Sequence, residues 1–207
     1  MSREVFYERL KSTLYFGSLP QWQRDPIEAL LNEGGRRERS LQDCAYVLAT
    51  AHHESGRFKH REEIGRGEGH AYGEPVYLYR NRKVAFYGRS WPQHTWLGNY
   101  AKLSVAATLA FQRPIDFVNN PDLLVGDLPL EAWAMWEGMV SGLWTGKNLA
   151  DYIRPGAVDY VQARRIVNGT DRADEIAAYA AEFEAALTLI TEEPDACPRS
   201  DCPMRSA

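Results

Sequence analysis

The residues richest in chemistry lie between 52 and 69, "HHESGRFKHREEIGRGEG". Two histidines and Glu54 close an apolar run, and Glu62 and Glu63 follow on a glycine-studded loop. A metallohydrolase would need two histidines four apart on one helical face, so that both imidazoles reach one ion. All five histidines (His52, His53, His60, His70, His94) are close in sequence, but none has a partner at that spacing, and no metal is expected. The run "GRGEGH" lacks the third glycine of a dinucleotide loop, follows a helical pattern where a strand is required, and precedes no GK[ST], so no nucleotide cofactor is expected. Nucleophilic catalysis has no support either, because Cys44 falls in an apolar helical run and no G-x-S-x-G elbow occurs. Paired carboxylates remain. Glycoside hydrolysis needs one carboxyl group to protonate the leaving oxygen and a second to attack carbon or activate water, across a cleft lined by polar and aromatic side chains. With 28 acidic residues in the chain, the same spacing also fits ordinary solvated surface charge, and spacing alone leaves both readings open.

The elements that would position these groups are helical. Ser40 is a good N-cap for "LQDCAYVLATAHHES", with Leu41, Cys44, Ala45, Leu48 and Ala51 at helical spacing, which puts Glu54 at the C-terminal end of a core helix that Ser55-Gly56 stops. A shorter helix over 21–34 is expected to close at Gly34 and Gly35. Residues 56–90 read as a long loop or irregular hairpin, kept ordered by its aromatic residues. Helical patterns return at 95–111, at 128–144 with Pro129 near the start, and at 157–169. The final helix aligns Ile176, Tyr179, Ala180, Phe183, Leu187 and Ile190 on one face, with Asp171, Asp174 and Glu175 toward its start. The expected class is mainly α, with a single domain over 1–191 and a flexible tail over 192–207 that carries Cys197 and Cys202.

Charge is uneven. The net charge is -4, yet residues 57–89 hold eight Lys/Arg against four Glu, so one basic segment sits on an acidic remainder. That argues against a general nucleic-acid binder and suits a polar or anionic ligand near this segment. No run of 18 apolar residues occurs and the N-terminal sequence has no secretion pattern, so a protein without membrane insertion is expected, cytoplasmic, with reduced thiols.

Read together, "ATAHHESG", "REEIGRGEGHAYG", "FYGRSWPQHTWLGNY", "GMVSGLWTGKNLADYI" and "YVQARRIVNGTDRADEIAAYAAEFEAAL" resemble, in order, glycoside hydrolase family 19, and most of all its compact phage and prophage endolysin branch. The resemblance spans roughly residues 15–190. It implies a lysozyme-like, family 19 chitinase-like helical fold of two lobes around a saccharide cleft. It further implies that Glu54 is the general acid, that Glu63 is the base that activates water, and that Thr95 helps hold that water. Gln93, Asn99 and Asn168 then match sugar-contacting positions, Tyr87 and Trp96 aromatic walls, and His53 and Arg165 further cleft residues. Partial burial of Glu54 among apolar neighbours and the helix C-terminus would help it keep a proton, while Arg61 and Arg66 beside Glu63 would favour a carboxylate there. An inverting pair stands about 6.5 to 9.5 Å apart. Phe86, Ser90, Pro92 and His94 depart from the usual form of the third motif, and serine in place of glycine at Ser90 restricts the backbone beside the cleft.

The implied activity is cleavage of the β-1,4 glycan backbone of peptidoglycan for host lysis, by a monomer with no cofactor, held in the cytoplasm until a holin or another membrane lesion releases it to the cell wall. A chitinase, and an inactive glycan-binding protein that kept the cleft, are the alternatives.

Overall fold

The computed structural model describes residues 3–191. Eight α-helices and two minimal hairpins follow in the order α1 (Glu4–Thr13), α2 (Gln21–Arg36), α3 (Leu41–Glu54), β1 (Val76–Tyr77), β2 (Lys83–Val84), α4 (Leu97–Phe111), α5 (Leu128–Ser141), α6 (Leu149–Tyr152), β3 (Ile153–Arg154), β4 (Ala157–Val158), α7 (Tyr160–Ala163) and α8 (Ala173–Thr191). Both hairpins are antiparallel, with Val76 opposite Val84 and Ile153 opposite Val158. Among the described residues, no helix is long and apolar enough to cross a membrane.

Two apolar clusters define two lobes. In the larger, α3 lies along α8, α1 covers α8, and α2 packs on α5, with Phe6, Leu10, Ile27, Leu30, Tyr46, Trp136 and Phe183 fully buried. In the smaller, Phe86, Tyr100, Leu103, Phe117 and Leu124 pack around α4. Helix α5 is the shared wall: Met135, Trp136 and Met139 face the large cluster, while Leu130, Trp133 and Ala134 face the small one. Each fully buried Leu, Ile or Phe removes enough apolar surface from water to contribute about 1.5–3 kcal/mol. The Trp136 indole N–H, which such burial would otherwise strand, donates to the Leu30 carbonyl at 2.9 Å.

Capping sets where the helices begin. Ser40 accepts the Asp43 N–H at 3.0 Å to start α3, as its sequence indicates, and Asp127 accepts the Leu130 N–H to start α5. Three expectations need correction. Helix α2 runs through Gly34 and Gly35 to Arg36; Gly34 marks a close approach, since a Cβ there would lie 2.7 Å from the Trp136 ring and 2.9 Å from Cys44 Sγ. Helix α4 begins only at Leu97, because Trp96 takes φ +71°, outside helical space. The stretch 157–169, entered through the turn at Gly156 (φ +77°), begins as strand β4 and becomes one helical turn capped by Asp159, followed by a 3₁₀ turn over Arg164–Ile166. The tail with Cys197 and Cys202 lies outside the described residues. Cys44 is a free thiol, and burial pushes its pKa up to about 11.

Candidate active site

Three short segments, bridged through Glu62, Arg89 and His94, form the floor of the loop region. Glu63 N–H donates to the Gly88 carbonyl at 2.8 Å and Ser90 N–H to the Arg61 carbonyl at 2.8 Å, which pairs 61–63 with 88–90. Arg89 and His94 exchange backbone hydrogen bonds at 3.2 and 2.9 Å, adding 93–95 as a third segment. Glycine turns carry the chain between them: Gly65, Gly67 and Gly69 all have φ near +80°. Gly67 and Gly73 touch backbone to backbone, and a Cβ on Gly73 would sit 2.0 Å from the Gly67 oxygen. This close crossing returns Tyr72 toward Glu63.

The Glu63 carboxylate is fixed at both oxygens. Tyr72 Oη donates to Oε1 at 2.8 Å and the Gly88 N–H donates to Oε2 at 2.9 Å. Burial, and then the hydrogen bond to Glu63, push the Tyr72 phenol up to about 12, so it remains a donor at physiological pH. Gly88 is required here, because a Cβ would meet Gln93 Oε1 at 2.4 Å and Glu63 Cβ at 3.2 Å. Gln93 thus lies against the base, and Trp96, 52% exposed, meets Tyr72 edge to face at 5.6 Å. Thr95 is half-buried on the same segment, and its hydroxyl has no hydrogen-bond partner among the described residues; its carbonyl accepts Asn99 Nδ2 at 3.0 Å.

The arginines expected to flank Glu63 turn elsewhere. Arg61 makes a two-pronged pair with Glu131 on α5, at 3.1 and 2.6 Å, and Arg66 reaches Glu62 at 3.5 Å. Glu131 is fully buried; burial pushes its carboxyl up to about 8, and the Arg61 guanidinium works against that shift. The pair staples the floor to the helix both lobes share. Glu62 instead receives the Tyr87 hydroxyl at 2.6 Å, and the Arg89 guanidinium stacks 3.7 Å from the Tyr87 ring.

Glu54 ends α3 in a polar cavity of about 500 Å³, together with His53, Arg164, Asn168, Glu175 and Tyr179. Its setting is not the apolar one expected: its carboxylate is bound by Arg164, which is only 4% exposed and is anchored through Nε to the Asp171 carbonyl at 2.9 Å. Asn168 shares the cavity, its Oδ1 accepting the Gly169 N–H at 2.9 Å. Arg165 faces away and pairs with Gln162 at 2.8 Å. Tyr179 Oη donates to Glu175 at 2.7 Å and, ahead of Arg172, holds that carboxyl below its ordinary value. Beneath the cavity, His52 is buried among Tyr15, Phe58, Tyr179 and Phe183, its Nδ1 3.1 Å from Tyr15 Oη. Burial, and then Arg57 and His53, push its imidazole down to about 3. His94, buried against Trp144, is pushed down to about 3 by burial alone. No group of three or more His, Cys, Asp or Glu side chains among the described residues is arranged to hold a metal ion.

With this geometry in place, comparison with known proteins decides the architecture. The chain is similar to the crystal structure of a bacterial family 19 chitinase, one reported to differ from the plant enzymes, with a TM-score of 0.58 over 90% of this chain and 94% of that one. The fold is family 19 chitinase-like. Identity over the match is 19%, so the likeness concerns the fold. Neither a protein-family model nor a curated protein matches this sequence.

Within this fold the structure gathers Glu54, His53 and Asn168 around one cavity, and Glu63, Gln93, Thr95 and Trp96 in the long loop region between α3 and α4. Tyr87 stands beside Glu62, and Arg165 is outside. Sequence reasoning missed Arg164, Tyr72 and Glu131. An acid inside the apolar run "LPLEAWAMW" is the signal that could have found Glu131, since a fully buried Glu requires a partner.

Proposed function

We propose that this protein is a glycoside hydrolase that cuts the β-1,4 glycan backbone of bacterial peptidoglycan by inverting acid/base hydrolysis, acting as a lytic enzyme of phage or prophage type. The observation that carries the reading is the treatment of the two carboxylates within a chitinase-like fold: Glu63 held at both oxygens by Tyr72 and Gly88, and Glu54 oriented by Arg164 at a rigid helix end. In the reaction, Glu54 gives its proton to the glycosidic oxygen as the C1–O bond breaks. Water attacks C1 from the opposite face while Glu63 takes its proton, and the anomeric configuration inverts. Exchange with solvent then reprotonates Glu54 and deprotonates Glu63. The unpartnered Thr95 hydroxyl is available to hold the water, and Gln93, Trp96 and Asn168 offer amide and aromatic surface to sugar rings. Release from the cytoplasm through a holin-dependent lesion, and action as a monomer, belong to the same reading.

Chitin hydrolysis is the second reading, favoured by the activity named for the similar bacterial structure. Mass spectrometry of fragments and new reducing ends, from Gram-negative sacculi and from chitin oligomers, distinguishes the two. Peptidoglycan fragments from wild type, with most of the rate lost in Glu54→Gln, are expected. Product from chitin alone moves the assignment to a chitinase, and binding to sacculi without any product to a glycan-binding protein.

A further inference from the structure

A second concavity, a groove of about 970 Å³, is lined by Glu62 and Tyr87. It adjoins the candidate base directly, since Glu62 and Tyr87 are the chain neighbours of Glu63 and Gly88. Its acids are already engaged: Glu62 by Tyr87 and Arg66, Asp122 by Arg89 at 3.0 Å, and Asp127 by the first turn of α5. Two of its cations are differently placed. Arg82 donates to the neutral Asn119 carbonyl, and Lys83 lies 5.1 Å from the centre of the exposed Tyr77 ring. Among the described residues neither has a carboxylate within ion-pair distance, and Asp116, which feels Arg82, directs its oxygens to Val118 and Asn119. Both sit on the exposed β1–β2 hairpin at the groove's edge.

We infer that this groove binds the peptide stem of peptidoglycan, with Arg82 and Lys83 receiving the stem carboxylates while the glycan lies across Glu54 and Glu63. The inference rests on the proposed glycosidase reading and deepens it. Chitin is a neutral polymer with no such substituent, whereas an uncleaved stem presents free carboxylates, the first of them on its second residue. A cationic groove opening beside the base therefore selects between the two polymers by charge, and a screened pair of exposed cations is suited to a substrate that must leave after cleavage.

The test compares initial rates of reducing-end release from intact sacculi with those from the same sacculi stripped of stems by an amidase. Arg82→Glu/Lys83→Glu is expected to raise the half-saturating concentration of intact sacculi about 10-fold and to change that of stripped glycan, which keeps only the lactyl carboxylate the amidase uncovers, far less; added salt is expected to slow the intact substrate more than the stripped one in wild type. Lys83→Glu alone, which disturbs no hydrogen bond, should show the same selectivity to a smaller degree. Equal effects on both substrates, or none, overturn the groove assignment while the glycosidase reading stands. If wild type cuts neither polymer, that reading fails, and the groove is judged by titrating a stem tetrapeptide into ¹⁵N-labelled protein. Shifts confined to residues 76–84 and 119–127 support it, and their absence overturns it.

Discussion

Ser90 holds a conformation that its side chain does not favour, and replacing it should stabilise the protein. It has φ +63°, is completely buried, and its Oγ has no hydrogen-bond partner among the described residues. A left-handed conformation raises the free energy of an L-residue by about 1–2 kcal/mol, and an unsatisfied buried hydroxyl by about 1–3 kcal/mol. Ser90→Gly removes both. Against this, glycine costs about 0.5–1 kcal/mol of chain entropy, and losing a side chain of roughly 30 Å³ leaves a void worth about 0.7 kcal/mol at ~24 cal/mol per Å³. The balance is about 0.3–4 kcal/mol, centred near 2 kcal/mol, in favour of glycine, which for a chain of this size raises Tm by roughly 4–8 °C. Urea titrations followed by circular dichroism, with calorimetry for Tm, measure it. Ser90→Ala isolates the hydroxyl: it keeps the left-handed strain but adds neither the glycine entropy cost nor the void, so it should gain about 1–3 kcal/mol, close to the gain of Ser90→Gly. A Ser90→Gly protein less stable than wild type by more than about 0.5 kcal/mol refutes the reasoning, because a hydroxyl that matters has a partner.

Arg61→Ala strands Glu131 in the interior and should lower stability by about 2–4 kcal/mol in urea, whereas Arg61→Ala/Glu131→Leu should recover most of it; equal losses in both would mean the pair staples nothing. Between pH 5 and 6.5, His52 and His94 are neutral in the fold and charged when unfolded, so their contribution is present above about pH 6.5 and lost as pH falls toward 3. Over the lower part of this window unfolding should therefore take up about two protons, a slope of about 2.7 kcal/mol per pH unit. His94→Gln should reduce that uptake to about one; an unaffected slope places the titration elsewhere. Tyr72→Phe frees one Glu63 oxygen and should lower kcat about 10-fold with little change in KM or Tm; a KM effect alone would make Tyr72 a sugar contact.

Much of this architecture is legible in the sequence where local signals and burial agree. Ser40, the helical spacing to Ala51 and the Ser55-Gly56 stop place Glu54 at a helix end, and the α8 face that buries Ile176, Ala180 and Phe183 is the one its periodicity marks. The site's partners are less legible because they depend on phase and on contacts distant in sequence. Whether Arg164 or Arg165 enters the Glu54 cavity is decided by the Asp159 cap and the switch from one α-turn to a 3₁₀ turn, which no side-chain pattern of that length records. Tyr72 reaches Glu63 only because Gly67 and Gly73 cross in backbone contact, and Arg61 leaves Glu63 because Glu131, 70 residues on, is buried and needs a cation. Gly34 resembles a helix stop locally and is instead the point where α2 meets Trp136 and Cys44.

The measurement that tests the central claim most directly is the anomeric configuration of the first product. Wild type acting on soluble stem-bearing glycan strands is followed by proton NMR within the first minutes, before mutarotation, with Glu54→Gln as the blank. The two-carboxylate account predicts that the α-anomer appears first and that its signal is lost in Glu54→Gln. A β-anomer first would make the second carboxylate a nucleophile, and product formed at the wild-type rate by Glu54→Gln would remove Glu54 from the reaction; either result contradicts the account.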